Sequence, residues 1–458
     1  MSESEPFIAQ SREASSDEDE SAIMLPSHVE SDVHGLRSPR RANGRIPTVD
    51  VARGITIALM IFVNHAGDRP KWIQHAKWNG LHLADLVMPA FLYICGTSIA
   101  LSLVPLKERL VPRQELATKV GTRCLKLFGL GLLTQGGSSV GQFPYFDLST
   151  LRVMGVLQRI ALCVAVVSSV VIFMPRLSLG RPASGGRNTS KRGFLSRLLA
   201  PVLAYPLWWA SGIAVFVTFS LLLLLLHAPR CHEPLPNIMP DCNIAGYFDK
   251  AVLGEDHMFS HPTCHSFKSH PCYFMDPEGV FTTTGATVSV FLGLYTGILL
   301  LMLPSHGDRL ISLGAQFCGC LSLTLFLGLF VRVPINKNLY TPSYITATGA
   351  VSALLVMCIY IPLEVWQSRR FTWAMQPFVW LGMNSITVFV GDELLSQMLP
   401  WVFWGKMEYN LRRVFLEALM GIAFLPKEAA RNALAALDSC FWTAVAGWLH
   451  QRKYFLKV

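Results

Sequence analysis

Charge is what this 458-residue chain has least of. Lys, Arg, Asp and Glu make up 15% of it and hydrophobic residues 52%, whereas a soluble protein carries roughly 25% charged residues. The deficit runs along the whole sequence after about residue 47, which excludes an ordinary soluble domain. From Pro206 to His227 (PLWWASGIAVFVTFSLLLLLLH) there is no Lys, Arg, Asp or Glu, and about 20 apolar residues suffice to cross a bilayer. Other features are missing too. No Walker, Rossmann or metal-ligand motif occurs, so neither a nucleotide fold nor a metal is expected; His261, His265 and His270 lie near Cys264 and Cys272 without a zinc spacing. No cleavable signal peptide opens the sequence, and the two halves show no tandem similarity.

What is present fits an all-α fold, a polytopic membrane helix bundle of about ten transmembrane helices. The expected spans are 47–66, 84–104, 116–134, 151–174, 206–227, 281–303, 309–331, 345–364, 377–397 and 432–450. Residues 1–46 read as a disordered cytosolic tail. The net charge of +9 does not call for nucleic acid, because the basic residues fall between apolar segments and report topology. The loop 175–205 holds Arg176, Arg181, Arg187, Lys191, Arg192 and Arg197 without an acid, so it is expected in the cytosol. The loop 228–280 has more acids than bases and holds Cys231, Cys242, Cys264 and Cys272, as suits an oxidising lumen. The two loops flank one span and so fall on opposite sides, which puts both termini in the cytosol. Four cysteines allow three pairings, and spacing does not choose. The other seven cysteines are expected to be packed thiols, the Asn188 sequon to be unglycosylated, and 411–425 to be an interfacial or re-entrant helix.

Ionisable residues in hydrocarbon cost roughly 2.5–3.5 kcal/mol each and mark candidate sites. The first hairpin is the densest: Asp50 and Arg53, then Asn64, His65, Asp68, His75, Asn79, His82 and Asp85. Asp50 and Arg53 can pair at i, i+3. A loop histidine with an ordinary pKa near ~6.5 can take a proton from an amine and be tuned by a carboxylate; His75 has Asp85 and Asn64 as candidate partners. Spacing does not separate it from His65 and His82. Arg152 and Arg159 are read onto one face of the fourth span, and PINKNLYTPSY brings Asn336, Lys337 and Asn338 to the same membrane level, with Asp392 and Glu393 late in the ninth span. A lumen-facing cavity would gather these groups, and helix capping or snorkelling would account for them equally simply. Lys119, Arg123 and Lys126 form one cationic stripe on the third span, open to two readings, phosphate binding or positive-inside anchoring.

Several blocks carry a resemblance: VDVARGITIALMIFVN, HAKWNGLHLADLVMPAFLYICG, GVLQRIAL, GYFDKAVLGEDHMF, DPEGVFTTTGA, PINKNLYTPSY and GMNSITVFV, in that order. Together they make the chain, over most of 46–458, similar to the heparan-alpha-glucosaminide N-acetyltransferase family of membrane acyltransferases. The resemblance implies a transmembrane acyltransferase domain at 47–458 with a lumenal cysteine-containing loop at 228–280. It implies transfer of acetyl from cytosolic acetyl-CoA, as co-substrate and without a metal, to the amine of a lumenal terminal glucosamine. The active-site histidine of HAxWNG falls on His75, the asparagine ending the first span on Asn64, and the Asp of LADLV on Asp85. Arg159, Lys337 and Asn336 are expected to hold acetyl-CoA or the acceptor. The expected partners are acetyl-CoA, an amino-sugar or glycosaminoglycan acceptor, the lipid bilayer and a second copy of the chain in a homodimer. The expected home is a lysosomal or vacuolar membrane, to which the acidic stretch Glu18 to Leu25 (EDESAIML) adds a loose sorting-signal likeness. Animal members carry a lumenal N-terminal domain and one further leading span, so a form without them is expected, with heparan sulfate less secure as acceptor. The alternative readings are a secondary transporter of a sugar or organic solute, and a non-catalytic membrane scaffold.

Overall fold

In the computed structural model, residues 46–67, 70–135, 148–176, 194–229, 231, 235–259, 262, 275–398, 411–422 and 425–456 are described; they lie within one compact unit, Ser38–Val458. The tail 1–45, Asp68, Asn188 and the cysteines Cys264 and Cys272 fall outside them, as do His261, His265 and His270. Among the described residues the chain is all helix, apart from two isolated backbone bridges.

The helices are α1 (Pro47–His65), α2 (Leu83–Glu108), α3 (Arg113–Thr134), α4 (Val156–Phe173), α5 (Phe194–Ala204), α6 (Pro206–Leu225), α7 (Ile244–Leu253) and α8 (Val280–Met302). They continue with α9 (His306–Leu329), α10 (Pro342–Tyr360), α11 (Arg369–Ala374), α12 (Gln376–Met383), α13 (Ser385–Met398), α14 (Leu411–Ile422) and α15 (Lys427–Gln451). Pro47, Pro206 and Pro342 each open a helix, where a missing N–H is not needed and the fixed φ suits the first turn.

Every expected span position is helical, but not every helix is equally apolar. Among the described residues seven helices are long and apolar enough to cross a membrane: α1, α2, α4, α6, α8, α9 and α10 extended to Val365. The expected span at 377–397 is a broken one. α12 and α13 are bent by 80° at Asn384, and counted together they make an eighth. α3 and α15 are less apolar: α3 carries Lys119, Arg123 and Lys126 and buries only a narrow strip from Leu116 to Thr134. Ten was therefore an approximate count of a multi-pass membrane protein. α14 covers most of the segment expected as an interfacial or re-entrant helix.

The core is built from α2, α4, α6, α8 and α10, and a single apolar cluster runs through all five. α2 and α8 press backbone to backbone. A methyl on Gly96 would sit 1.9 Å from the Val290 carbonyl oxygen, and one on Gly293 1.7 Å from that of Tyr93. Membrane helices have no hydrophobic drive between them, so small residues that admit close packing are what hold such a pair. Thr97 Oγ1 donates across the same seam to the Gly293 carbonyl at 3.1 Å. α1 packs on α2, α12 and α15, and α3 packs on α4. Cys231 and Cys242 form a disulfide, one bond between two of the four cysteines for which sequence left the pairing open.

Candidate active site

The loop between α1 and α2 carries His75, and several contacts fix it. Gln74 donates to the carbonyls of Ala66 and Gly67 at 3.1 and 2.8 Å. Buried Trp78 donates from its indole to the Ile238 carbonyl at 3.0 Å. Gly80 sits at φ 128°, in the region that disfavours a side chain, and its N–H meets the Ile335 carbonyl at 2.8 Å. That last contact joins the loop to the PINKNL segment, whose Asn336 also donates to Asn79 at 3.0 Å.

Asp85 lies in the first turn of α2 with its side chain fully buried. Its Oδ2 accepts the backbone N–H groups of His82 and Ala76 at 3.0 and 3.1 Å, the first of these being half of a capping box. Its Oδ1 lies 2.8 Å from His75 Nδ1. A carboxylate only accepts, so Nδ1 carries the hydrogen and Nε2 keeps the lone pair. Tyr344 donates to the Asp85 carbonyl at 2.6 Å, anchoring the same turn from α10.

Lys337 Nζ lies 3.1 Å from His75 Nδ1 and 3.3 Å from Nε2. Burial and the Lys337 charge push the His75 pKa below its usual 6.5, with Asp85 and Glu278 pulling the other way. Burial also lowers Lys337, against the pull of Glu278 and Asp85. Glu278 is held ionised, well below the usual carboxylate range. Its burial opposes this, but the guanidinium of Arg152, 2.7 Å from Oε2, outweighs it, and Lys337 adds to the effect. Arg152 pairs with Asp276 as well and stacks on Phe259 at 4.3 Å.

These groups open onto one cavity of about 540 Å³. Its far end is lined by Arg53, Ser98, Ser102 and Arg123, and its near end by Asn64, His75, Phe259, Glu278, Lys337, Asn338 and Glu393. α2 lines it from Ala84 to Leu103 at three- and four-residue steps, which is about 28 Å of helix, close to the thickness of a bilayer's hydrocarbon. Asn64 is exposed to this space and makes no side-chain hydrogen bond among the described residues. Arg53 pairs with Asp50 at 3.2 Å, as its spacing allowed, and also donates to Ser98 at 2.7 Å and to the Gly382 carbonyl at 3.1 Å.

His75, Asn64, Asp85 and Lys337 are therefore brought together, whereas Arg159 and Asn336 are engaged elsewhere. Arg159 is buried against the start of α8, bound to Thr282, Thr283 and the Pro277 carbonyl. The fully buried Asn336 braces its own loop, accepting from the Leu339 N–H at 2.9 Å. Arg152 does not share a helix face with Arg159, because α4 begins only at Val156. Of the other two histidines, His65 reaches Asp392 at 3.2 Å and His82 the Gln74 carbonyl at 3.0 Å. Sequence reasoning passed over Glu278 and Phe259 as site residues. The signal available was an acid in DPEG immediately before a span.

Residues 45–180, which hold His75, Asn64, Asp85 and Arg159, match the family model described as heparan-alpha-glucosaminide N-acetyltransferase, catalytic. The chain is similar to this acetyltransferase family. It is 29% identical over 438 residues to the human protein named heparan-alpha-glucosaminide N-acetyltransferase, covering 90% of this chain and 60% of that one. With the mouse protein of the same name it shares 27% over 435 residues, covering 92% and 61%. The chain thus spans about three fifths of the length of these relatives. The resemblance read from the sequence blocks holds over nearly the whole chain.

Proposed function

We propose that this protein is a transmembrane acetyltransferase that moves an acetyl group from cytosolic acetyl-CoA to the amine of a terminal glucosamine in the lumen, with His75 as general base. The observation that carries the reading is the cavity that runs from the His75–Asp85 pair to Arg53 and Arg123. Acetyl-CoA enters from the Arg123 end, which the basic loop 175–205 orients to the cytosol, and its thioester reaches His75 through an apolar shaft. Arg123, lining the shaft on α3, supplies a cation for the CoA phosphates; Lys119 instead pairs with Glu115 on the helix surface at 2.8 Å. This division favours phosphate binding for one member of the stripe and surface anchoring for another.

Transfer is direct. The neutral acceptor amine attacks the acetyl carbonyl carbon, Asn64 donates to the oxygen as it gains charge, and His75 Nε2 takes the amine proton. Collapse breaks the C–S bond, and CoA leaves as the thiolate, which the imidazolium proton can neutralise. An acetyl-His75 intermediate is the competing route, and trapping it with acetyl-CoA alone would overturn direct transfer. The site is proposed to face a lysosomal or vacuolar lumen, a placement the acidic Glu18–Leu25 stretch supports.

The test is acetyl transfer from labelled acetyl-CoA to glucosamine by detergent-solubilised protein, wild type beside His75→Ala. Wild type labels the sugar and the variant does so roughly 10²–10⁴-fold more slowly. Solute flux into vesicles with no acetyl-CoA consumed would instead make the protein a transporter. Binding of acetyl-CoA with no labelled glucosamine would overturn the acceptor alone.

A further inference from the structure

Lys337 stands where sequence reasoning expected a ligand for acetyl-CoA or the acceptor, yet its ammonium is directed at a protein group. It lies within 3.3 Å of both His75 ring nitrogens. We infer that Lys337 is a positioning residue that keeps the His75 imidazole neutral, with its Nε2 lone pair available, when the surrounding solution is acidic.

The geometry argues this in three steps. Asp85 fixes the tautomer through Nδ1, so any added proton must go to Nε2. A proton there would create a second cation beside Lys337 Nζ, and like charges at this separation repel. The Lys337 backbone is held beside the His75 loop on both sides, by Gly80 N–H to the Ile335 carbonyl and Asn336 to Asn79 before it and by Asn338 to the Lys77 carbonyl after it. The other charged groups around the imidazole act in the opposite sense. Asp85 comes from α2 and Glu278 from the segment ahead of α8. Each of these favours an imidazolium. Lys77 shares the His75 loop, Glu393 lines the same cavity from α13, and Arg152 and Arg159 act on Glu278 and Lys337 from behind. Lys337 is thus the cation set against these two carboxylates, and without it burial alone would oppose protonation of His75.

The electrostatic claim stands apart from the proposed transfer reaction, and its test does not need turnover. Diethyl pyrocarbonate acylates the neutral imidazole, so the pH at which the His75 peptide loses reactivity, read by mass spectrometry on the full-length protein in detergent, reports its protonation. In Lys337→Met that midpoint should rise by about one unit or more, and in Lys337→Arg it should stay near the wild-type value. Glu278→Gln, which removes a carboxylate and keeps the lysine, should move it downward. A midpoint in a folded Lys337→Met protein equal to that of wild type would overturn the proposal, as would an upward shift in Glu278→Gln. Should Lys337→Met not fold, Lys337→Arg and Glu278→Gln carry the test. If the proposed transfer reaction is correct, the acid limb of kcat/KM shifts upward with the same midpoint in Lys337→Met while the KM for acetyl-CoA is unchanged. A moved reactivity midpoint without acetyl transfer would leave this inference standing and remove the function assigned to it.

Discussion

One carboxylate, that of Asp85, orients the His75 ring through Oδ1 at 2.8 Å and closes the start of α2 through Oδ2. The catalytic candidate and the helix end share a side chain, so they cannot be perturbed separately. Asp85→Asn should lower kcat roughly 10²-fold or more and also cost about 2–3 kcal/mol of stability, the worth of charge-assisted bonds lost from a buried site. The thermal midpoint and the transfer rate measured on one preparation check this; loss of rate with an unmoved midpoint would separate the two roles.

Asn64 makes the opposite case. Its side chain is open to the cavity and holds nothing in place, so Asn64→Ala should leave the melting temperature within about a degree of wild type. The transfer rate should nonetheless fall roughly 10²–10³-fold, as when an oxyanion donor is removed. A normal rate would return Asn64 to the role of a helix terminus.

Arg123 lines the far end of the shaft, well away from His75. Arg123→Ala should raise the KM for acetyl-CoA roughly tenfold, the loss expected of one charge-assisted phosphate contact. The KM for glucosamine should not change. Initial rates with each substrate varied in turn distinguish the two ends of the cavity, and an effect on both constants would argue against the assigned polarity.

Much of this was legible in the sequence and some was not, for physical reasons. Apolar run length located every span position, because hydrocarbon imposes one length on a helix. The count is approximate at α3 and α15, helices that are less apolar than the others. The break at Asn384 carries no proline or glycine at the bend itself, so nothing local announced it. Among site residues, those close in sequence, such as His75 and Asp85, could be paired from a short loop. Lys337 reaches His75 only because two distant loops bridge at Asn79 and Asn336. Arg159, expected at the acetyl-CoA or acceptor site, ties α4 to the first turn of α8, a contact between segments far apart in sequence.

Asp249 offers a pH test read on stability instead of on turnover. It is buried on α7, accepts the Phe281 N–H at 3.0 Å at the start of α8, and burial pushes its pKa up to about 7. The unfolded chain releases this proton near 3.8. The native state therefore binds more protons between those values, and stability falls as pH rises from about 4 to about 7, by at most about 4 kcal/mol. Asp249→Asn should flatten that slope, matching wild type near pH 4 and exceeding it above pH 7. Parallel melting curves for the two proteins across this range would overturn the assignment.

The contact of Gly96 and Gly293 bears on how the shaft could widen to admit a bulky thioester and let the product leave. Two backbones already in mutual contact cannot approach further, and separating them would strip Thr97 of its bond to Gly293. α2 is one wall of the shaft, so that wall behaves as a keel. The other walls include α3, which buries only a narrow strip, and α13, which meets α12 at a sharp angle. The flank that carries Asp85, and with it the setting of His75, is thus the wall whose packing leaves the least room to adjust.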